Sequence, residues 1–110
     1  MTVYHVLMLK FKDEVTPEEV KAACDEVLEL PTKCLHPTTK TQYIKPLGGG
    51  KDHSIEGHQN GFTHCFISKF ENEDDRKYYV EGDPAHLGII KTLVPKLDKI
   101  QVLDFTPGEY

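Results

Sequence analysis

The residues best equipped for chemistry lie in one stretch, Tyr78-Tyr79-Val80-Glu81-Gly82-Asp83-Pro84-Ala85-His86. Gly82 suits the end of one helix and Asp83-Pro84 the start of another. An aspartate at the N-cap accepts hydrogen bonds from the free amides of the first turn. Proline at the first helical position gives up an N–H that has no intrahelical partner in any case. His86 then falls in the first turn, where the positive end of the helix dipole disfavours the imidazolium form. A histidine kept neutral near pH 7, with two tyrosine hydroxyls seven and eight residues upstream, has the makings of a general acid–base pair. A plainer reading of the same residues is a helix-start histidine bonded to a backbone carbonyl.

Other groups offer less. Cys24, Cys34 and Cys65 make an odd count without a Cys-x-x-Cys pair, so a disulfide framework is not expected and a reduced, cytoplasmic protein is. Cys24 falls on a helix and Cys65 in a strand core, where cysteines act as inert fillers. Gly48-Gly49-Gly50 resembles a phosphate cradle only in composition, because no helix follows and no Lys-Ser/Thr pair stands at Walker spacing. Six histidines (His5, His36, His53, His58, His64, His86) include no helical His-x-x-x-His pair, so no metal and no cofactor is expected.

The elements that must position these groups follow from periodicity. Val3–Lys12 reads as a strand with His5, Leu7, Leu9 and Phe11 on one face and Tyr4, Val6 and Met8 on the other. Thr16-Pro17-Glu18-Glu19 is a capping box with proline at the first helical position. Val20, Ala23, Val27 and Leu30 form the apolar stripe of that helix, with Cys24 at its margin, and Pro31 is expected to stop it at about Glu29. A second strand is expected over Thr38–Leu47, with Pro46 marking an edge or a strand end. A long loop is expected from the glycine triplet to Gly61. A third strand over Phe62–Glu71 places His64, Phe66, Ser68 and Phe70 on one face and Thr63, Cys65, Ile67 and Lys69 on the other. Asn72 caps a short helix with acidic residues in its first turn, favoured there by the dipole. The helix begun at Asp83 carries Leu87, Ile90 and Leu93 to Pro95, and Lys99–Thr106 is the last strand.

This order, β-α-β-β-α-α-β, is an α+β, ferredoxin-like pattern with helices on one face of a four-stranded antiparallel sheet. Both faces of its strands are apolar, yet the helices of so short a chain cover only one. A bare face of several hundred Å² is rare on a soluble monomer, so a two-fold homodimer packed through the open sheet face is expected. The chain's 13 basic and 18 acidic residues give a net charge of −5, which argues against a nucleic-acid surface. No apolar run approaches the roughly 20 residues of a membrane span, and the strand-like opening leads us to expect neither a signal nor a transit segment. All 110 residues fit one domain with a modest core.

Four segments, YHVLMLKFKDEVTPEE, GHQNGFTHCF, DPAH and VLDFTPGEY, together resemble the stress-responsive dimeric α/β-barrel (Dabb) family, in the family's order and across nearly the whole chain. The resemblance implies a dimeric α/β barrel. It extends to olivetolic acid cyclase-type members at the first-strand histidine, at Phe62-Thr63-His64 and at Pro84-Ala85-His86. In those polyketide cyclases, a tyrosine on the helix before Pro-Ala-His and the histidine ending that motif are the catalytic pair. Carried over, these are His86 and Tyr79, with Tyr78 as the alternative because one extra residue separates helix and motif here. Asp83 stands where a histidine is often found. His5 and His64 share strand faces with large apolar residues, so the expected substrate pocket comprises His5, Leu9, His64, Phe66, Tyr78 and Leu97, with satisfied core histidines as the plainer reading. The function this implies is a cofactor-independent cyclase or lyase acting on a hydrophobic, carbonyl-rich small molecule. The alternative is a non-catalytic, stress-associated dimer that binds an apolar ligand or stabilises other proteins. Haem or oxidative chemistry lacks a residue that stands out as an iron ligand.

Overall fold

Alternating apolar residues over Val3–Phe11 form β1, and the structure, a computed structural model describing Met1–Tyr110, places this strand inside a four-stranded sheet. The remaining elements are α1 (Pro17–Lys33), β2 (Ile44–Lys51), β3 (His64–Phe70), α2 (Glu73–Glu81), α3 (Pro84–Leu93) and β4 (Leu97–Phe105), with a 3-10 turn at Val94–Lys96 before β4. The sheet order is β2-β3-β1-β4 and every neighbouring pair is antiparallel. This is the ferredoxin-like α+β arrangement that the strand and helix order predicts.

The caps form as the sequence dictates. Thr16 accepts from the Glu19 amide while the Glu19 carboxylate accepts from the Thr16 amide, closing the capping box of α1. Asn72 caps α2 through the Asp75 amide, and Asp83 caps α3 through the Ala85 amide at 2.9 Å. Two boundaries differ from expectation. Pro31 does not end α1, which continues to Lys33. A proline in the last turn forfeits only one backbone bond, and Pro31 is itself buried. The second strand lies later than Thr38–Leu47. Residues 36–41 close a turn in which His36 Nδ1 accepts from the Thr38 and Thr39 amides, and the strand runs instead through the glycines. Gly49 pairs with Phe66 of β3 and lies under its ring, so close that a Cβ there would meet that ring and stand 2.8 Å from the Cys65 carbonyl oxygen. Gly48, at φ 113°, takes up the register shift between Pro46 and Gly48. The glycines are therefore strand, and the irregular connection shrinks to residues 52–63.

The helices cover one sheet face, and the core there falls into two clusters. Leu9, Phe11, Phe66 and Leu97 meet Ala23, Val27 and Leu93 in one; Val3, Ile44 and Phe70 meet Leu30, Cys34 and Tyr79 in the other. Ile89 packs against both. The opposite sheet face is open, and Tyr4 and Phe105 stack on it with ring centroids 5.1 Å apart. Leu103 and Phe105 on that face are about half exposed, at 57% and 49%. No helix is long and apolar enough to cross a membrane.

Candidate active site

The α2–α3 corner sets the site. Gly82 and Asp83 both donate their amides to the Tyr78 carbonyl, which turns the chain sharply between the helices. The Asp83 side chain is buried, with its carboxylate accepting the Tyr43 hydroxyl at 2.5 Å in addition to the Ala85 amide. A buried carboxylate needs such donors, because an unpaired one is strongly penalised by desolvation. Fully buried Cys34 lies beside it; burial first, then the Asp83 charge, push its thiol up to about 12. Burial and the Asp83 bond likewise raise the Tyr43 phenol far above its usual value.

This corner places Tyr79 and His86 with ring centroids 3.9 Å apart and planes tilted by 30°. Burial holds the Tyr79 phenol well above its usual range, so the hydroxyl stays protonated. Burial also lowers the pKa of His86, and nearby His5 adds to that effect, against the opposing pull of the Tyr79 carbonyl and the Asp83 charge. The imidazole is therefore neutral near pH 7. Its Nδ1 is sealed from solvent and makes no hydrogen bond.

Both rings line a cavity of about 900 Å³ between α2, α3 and the β1–β4 half of the sheet. Its walls are mostly apolar, built from Leu7, Ile89, Ile90, Leu93, Ile100 and Val102. His5 enters from β1, its ring edge-on to Tyr79 with centroids 5.7 Å apart. His5 Nδ1 lies 2.7 Å from Asp104 Oδ1, and Arg76 Nη1 donates to Asp104 Oδ2 at 3.0 Å.

Of the residues expected in the pocket, the structure brings His5, Tyr79 and His86 together. The other five do not line this cavity. Leu9, Phe66 and Leu97 are consumed by the core beneath it. Tyr78 turns the other way, against the Tyr43 ring and Gly82. His64 pairs with Leu9, four residues along β1 from His5, a separation of ~13 Å at strand rise. Its ring packs edge-on to Phe11 and its Nδ1 meets the Thr63 hydroxyl at 2.9 Å. Sharing a sheet face is thus not sharing a site. Sequence reasoning missed Asp104 and Arg76, and the signal was a carboxylate two and four residues along from Val102 and Ile100, the apolar residues on the cavity-facing side of β4. The structure gathers no three histidine, cysteine or carboxylate side chains into a group able to hold a metal ion.

The family model described as the Stress responsive A/B Barrel Domain (Dabb) matches residues 3–107. The chain belongs to the Dabb family. It is 34% identical over 105 residues to the Stress-response A/B barrel domain-containing protein HS1 of Arabidopsis thaliana, covering 96% of this chain and 89% of that protein. It is 29% identical to olivetolic acid cyclase of Cannabis sativa over 107 residues, 97% of this chain and 98% of the enzyme. Among solved structures, the hydroxynitrile lyase from Passiflora edulis superposes with a TM-score of 0.84 at 20% identity, covering 99% of this chain and 96% of that one, a likeness of fold. A protein from Thermobifida fusca described as a dimeric ferredoxin-like protein superposes at 0.72, with 18% identity, covering 96% of this Dabb chain and 91% of its own.

Proposed function

We propose that this Dabb protein is a homodimeric, cofactor-independent enzyme that performs acid–base chemistry of the cyclase or lyase type on a hydrophobic, carbonyl-bearing small molecule of polyketide character. The observation that carries the reading is a neutral, half-buried imidazole, His86, packed at a tilt against the ring of a tyrosine kept protonated, Tyr79, in the wall of a large apolar cavity. Such a cavity with a few converging polar groups is the expected form of a small-molecule site. With Nδ1 sealed, Nε2 is the working nitrogen of His86. It removes a proton alpha to a carbonyl, and the Tyr79 hydroxyl donates a hydrogen bond to the oxygen on which negative charge develops. In a ring closure the enolate carbon then forms a bond to a second carbonyl, whose oxygen takes up the proton. Proton transfer by a positioned base contributes about 10²–10⁴-fold, and stabilisation of the developing oxyanion often contributes more. The names of the olivetolic acid cyclase and hydroxynitrile lyase relatives agree with this chemistry.

The test needs no knowledge of the natural substrate. In deuterated buffer, a medium-chain alkyl methyl ketone should exchange its alpha protons faster with the protein than without it, as followed by NMR. The His86→Ala variant should fall to background while remaining folded; exchange equal to wild type removes His86 as the base. A second reading, ligand binding without turnover, is favoured by the ring-on-ring packing itself, since no hydrogen bond joins the two side chains. Ketone binding with no accelerated exchange would establish it.

The homodimer in this proposal forms through the open sheet face bearing Tyr4, Val6, Met8, Leu103 and Phe105. Apolar side chains exposed together on one face are the usual mark of an interface, and the neighbour described as dimeric shares the fold. Leu103→Lys should convert a sedimenting dimer to a monomer; a wild-type protein that is monomeric at micromolar concentration refutes the assignment. Three unpaired thiols agree with a reducing, cytoplasmic setting.

A further inference from the structure

Asp104 spends its two oxygens on different partners, one on His5 and one on Arg76. The arrangement follows from the sheet. His5 and Asp104 are directly opposite in the β1–β4 register, so both side chains project from the same face, toward the cavity. Arg76 comes from α2, one turn before Tyr79, and reaches across the cavity mouth to β4. The side chains of His5, Asp104 and Arg76 are 10%, 19% and 31% exposed, so the His5 end of the chain of contacts is shielded from water while the Arg76–Asp104 bond lies at its exposed end. An ionised carboxylate only accepts, so the His5 nitrogen facing it must carry a hydrogen. In the neutral imidazole that fixes the tautomer as Nδ1–H and leaves Nε2, which bonds to no other group of the chain, as a lone-pair acceptor. His86 has no such carboxylate, and its own Nδ1 is without any partner.

We infer that His5, oriented by Asp104 and with Asp104 held in place by Arg76, is a second polar station of the cavity, which accepts a hydrogen bond from an enol or phenolic hydroxyl of the ligand. Asp104 and Arg76 are positioning residues that act through His5. The inference rests on the reading that this cavity takes the ligand. It narrows the ligand class to molecules with an acidic hydroxyl on an apolar body, which is what an enolised or aromatised polyketide chain presents. Two stations then divide the work, with Tyr79 and His86 on the reacting carbonyl and His5 holding the far oxygen. Arginine suits the positioning role because its rigid, always charged fork fixes a carboxylate's orientation better than a flexible ammonium does.

Two measurements test this on the full chain. Nitrogen-15 NMR of the imidazoles should show His5 of the wild type as a single Nδ1–H tautomer. Arg76→Gln and Asp104→Asn should give a mixture of tautomers, Arg76→Lys should restore most of the wild-type signature, and Lys77→Gln, which removes a neighbouring cation, should change nothing. An Nε2–H form in the wild type, or a wild-type signature in Arg76→Gln, overturns the inference. The second measurement compares binding of a 4-alkylphenol with that of the matching alkylbenzene. The wild type should prefer the phenol by about fivefold to tenfold, the worth of one net hydrogen bond, and Arg76→Gln should lose most of that preference. A preference unchanged in Arg76→Gln also overturns it. If neither probe enters the cavity, the cavity reading itself fails, and the tautomer result still decides whether the three residues act as a unit.

Discussion

Replacing Asp83 with alanine removes, in one step, the N-cap of α3 and the acceptor of the Tyr43 hydroxyl. Loss of an N-cap costs about 1 kcal/mol. A hydrogen bond from a part-buried phenol to a buried carboxylate contributes about 1.5–3 kcal/mol, and its loss leaves the Tyr43 oxygen without that partner. The expected destabilisation is therefore about 3 kcal/mol, a large share of the roughly 5–15 kcal/mol typical of a domain. Urea unfolding followed by circular dichroism should show it as a midpoint lowered by about 2 M for a slope of about 1.5 kcal/mol/M. Protein concentration must be held fixed, because self-association makes the midpoint depend on it. Tyr43→Phe should cost about 2 kcal/mol, keeping the cap and losing only the phenol bond. The two effects should fall short of adding in the double variant, by about 1.5 kcal/mol, because both act through one contact. A loss below about 1 kcal/mol for Asp83→Ala, or strict additivity with Tyr43→Phe, would refute the claim that this pair holds the corner beneath His86.

Two further outcomes follow from described features. The pKa of His86 is lowered in the folded state from its ordinary 6.5, so the unfolded chain takes up that proton first. Above pH 6.5 both states are neutral at this site. As the pH falls below it, stability declines until the folded value is passed, at up to about 1.4 kcal/mol per pH unit. His86→Gln should flatten that part of the decline seen in urea midpoints between pH 7 and 5, the remainder including His64, which is shifted the same way; an unchanged decline contradicts this. In β2, Gly49→Ala forces a methyl into the Phe66 ring and should cost about 1–3 kcal/mol. Gly50→Ala meets open space and should lower the thermal midpoint far less; equal effects would show that the ring does not select the glycine.

The legible parts of this chain were those in which local chemistry and tertiary structure agree. The capping box at Thr16 and Glu19, the Asp83-Pro84 start of α3, and the alternation of β1 and β3 each satisfy a nearest-neighbour rule, and the structure keeps them. The glycine triplet was misread because glycine has no strand preference of its own; what recruits Gly49 is an aromatic ring on a strand that follows more than a dozen residues later. Pro31 was misread because its cost is small in a last turn and its ring finds a buried place. For the site, Tyr79 and His86 are seven residues apart and could be paired by eye. The His5–Asp104 contact spans 99 positions and exists only through strand register. His64 failed for the converse reason, since alternation assigns a face and says nothing of height along the strand.

The split of the core into two clusters bears on how freely this scaffold can be altered. Tyr79 is seated in the cluster around Phe70 and Leu30, while Leu93 and Leu97 anchor the other, some distance along α1. Size changes shared out among Leu7, Val27 and Leu93, which line the chamber and pack in that second cluster, would reshape its walls and leave the seat of the tyrosine intact. A protein partitioned in this way can acquire a new ligand preference at one end without disturbing the proton-handling groups at the other.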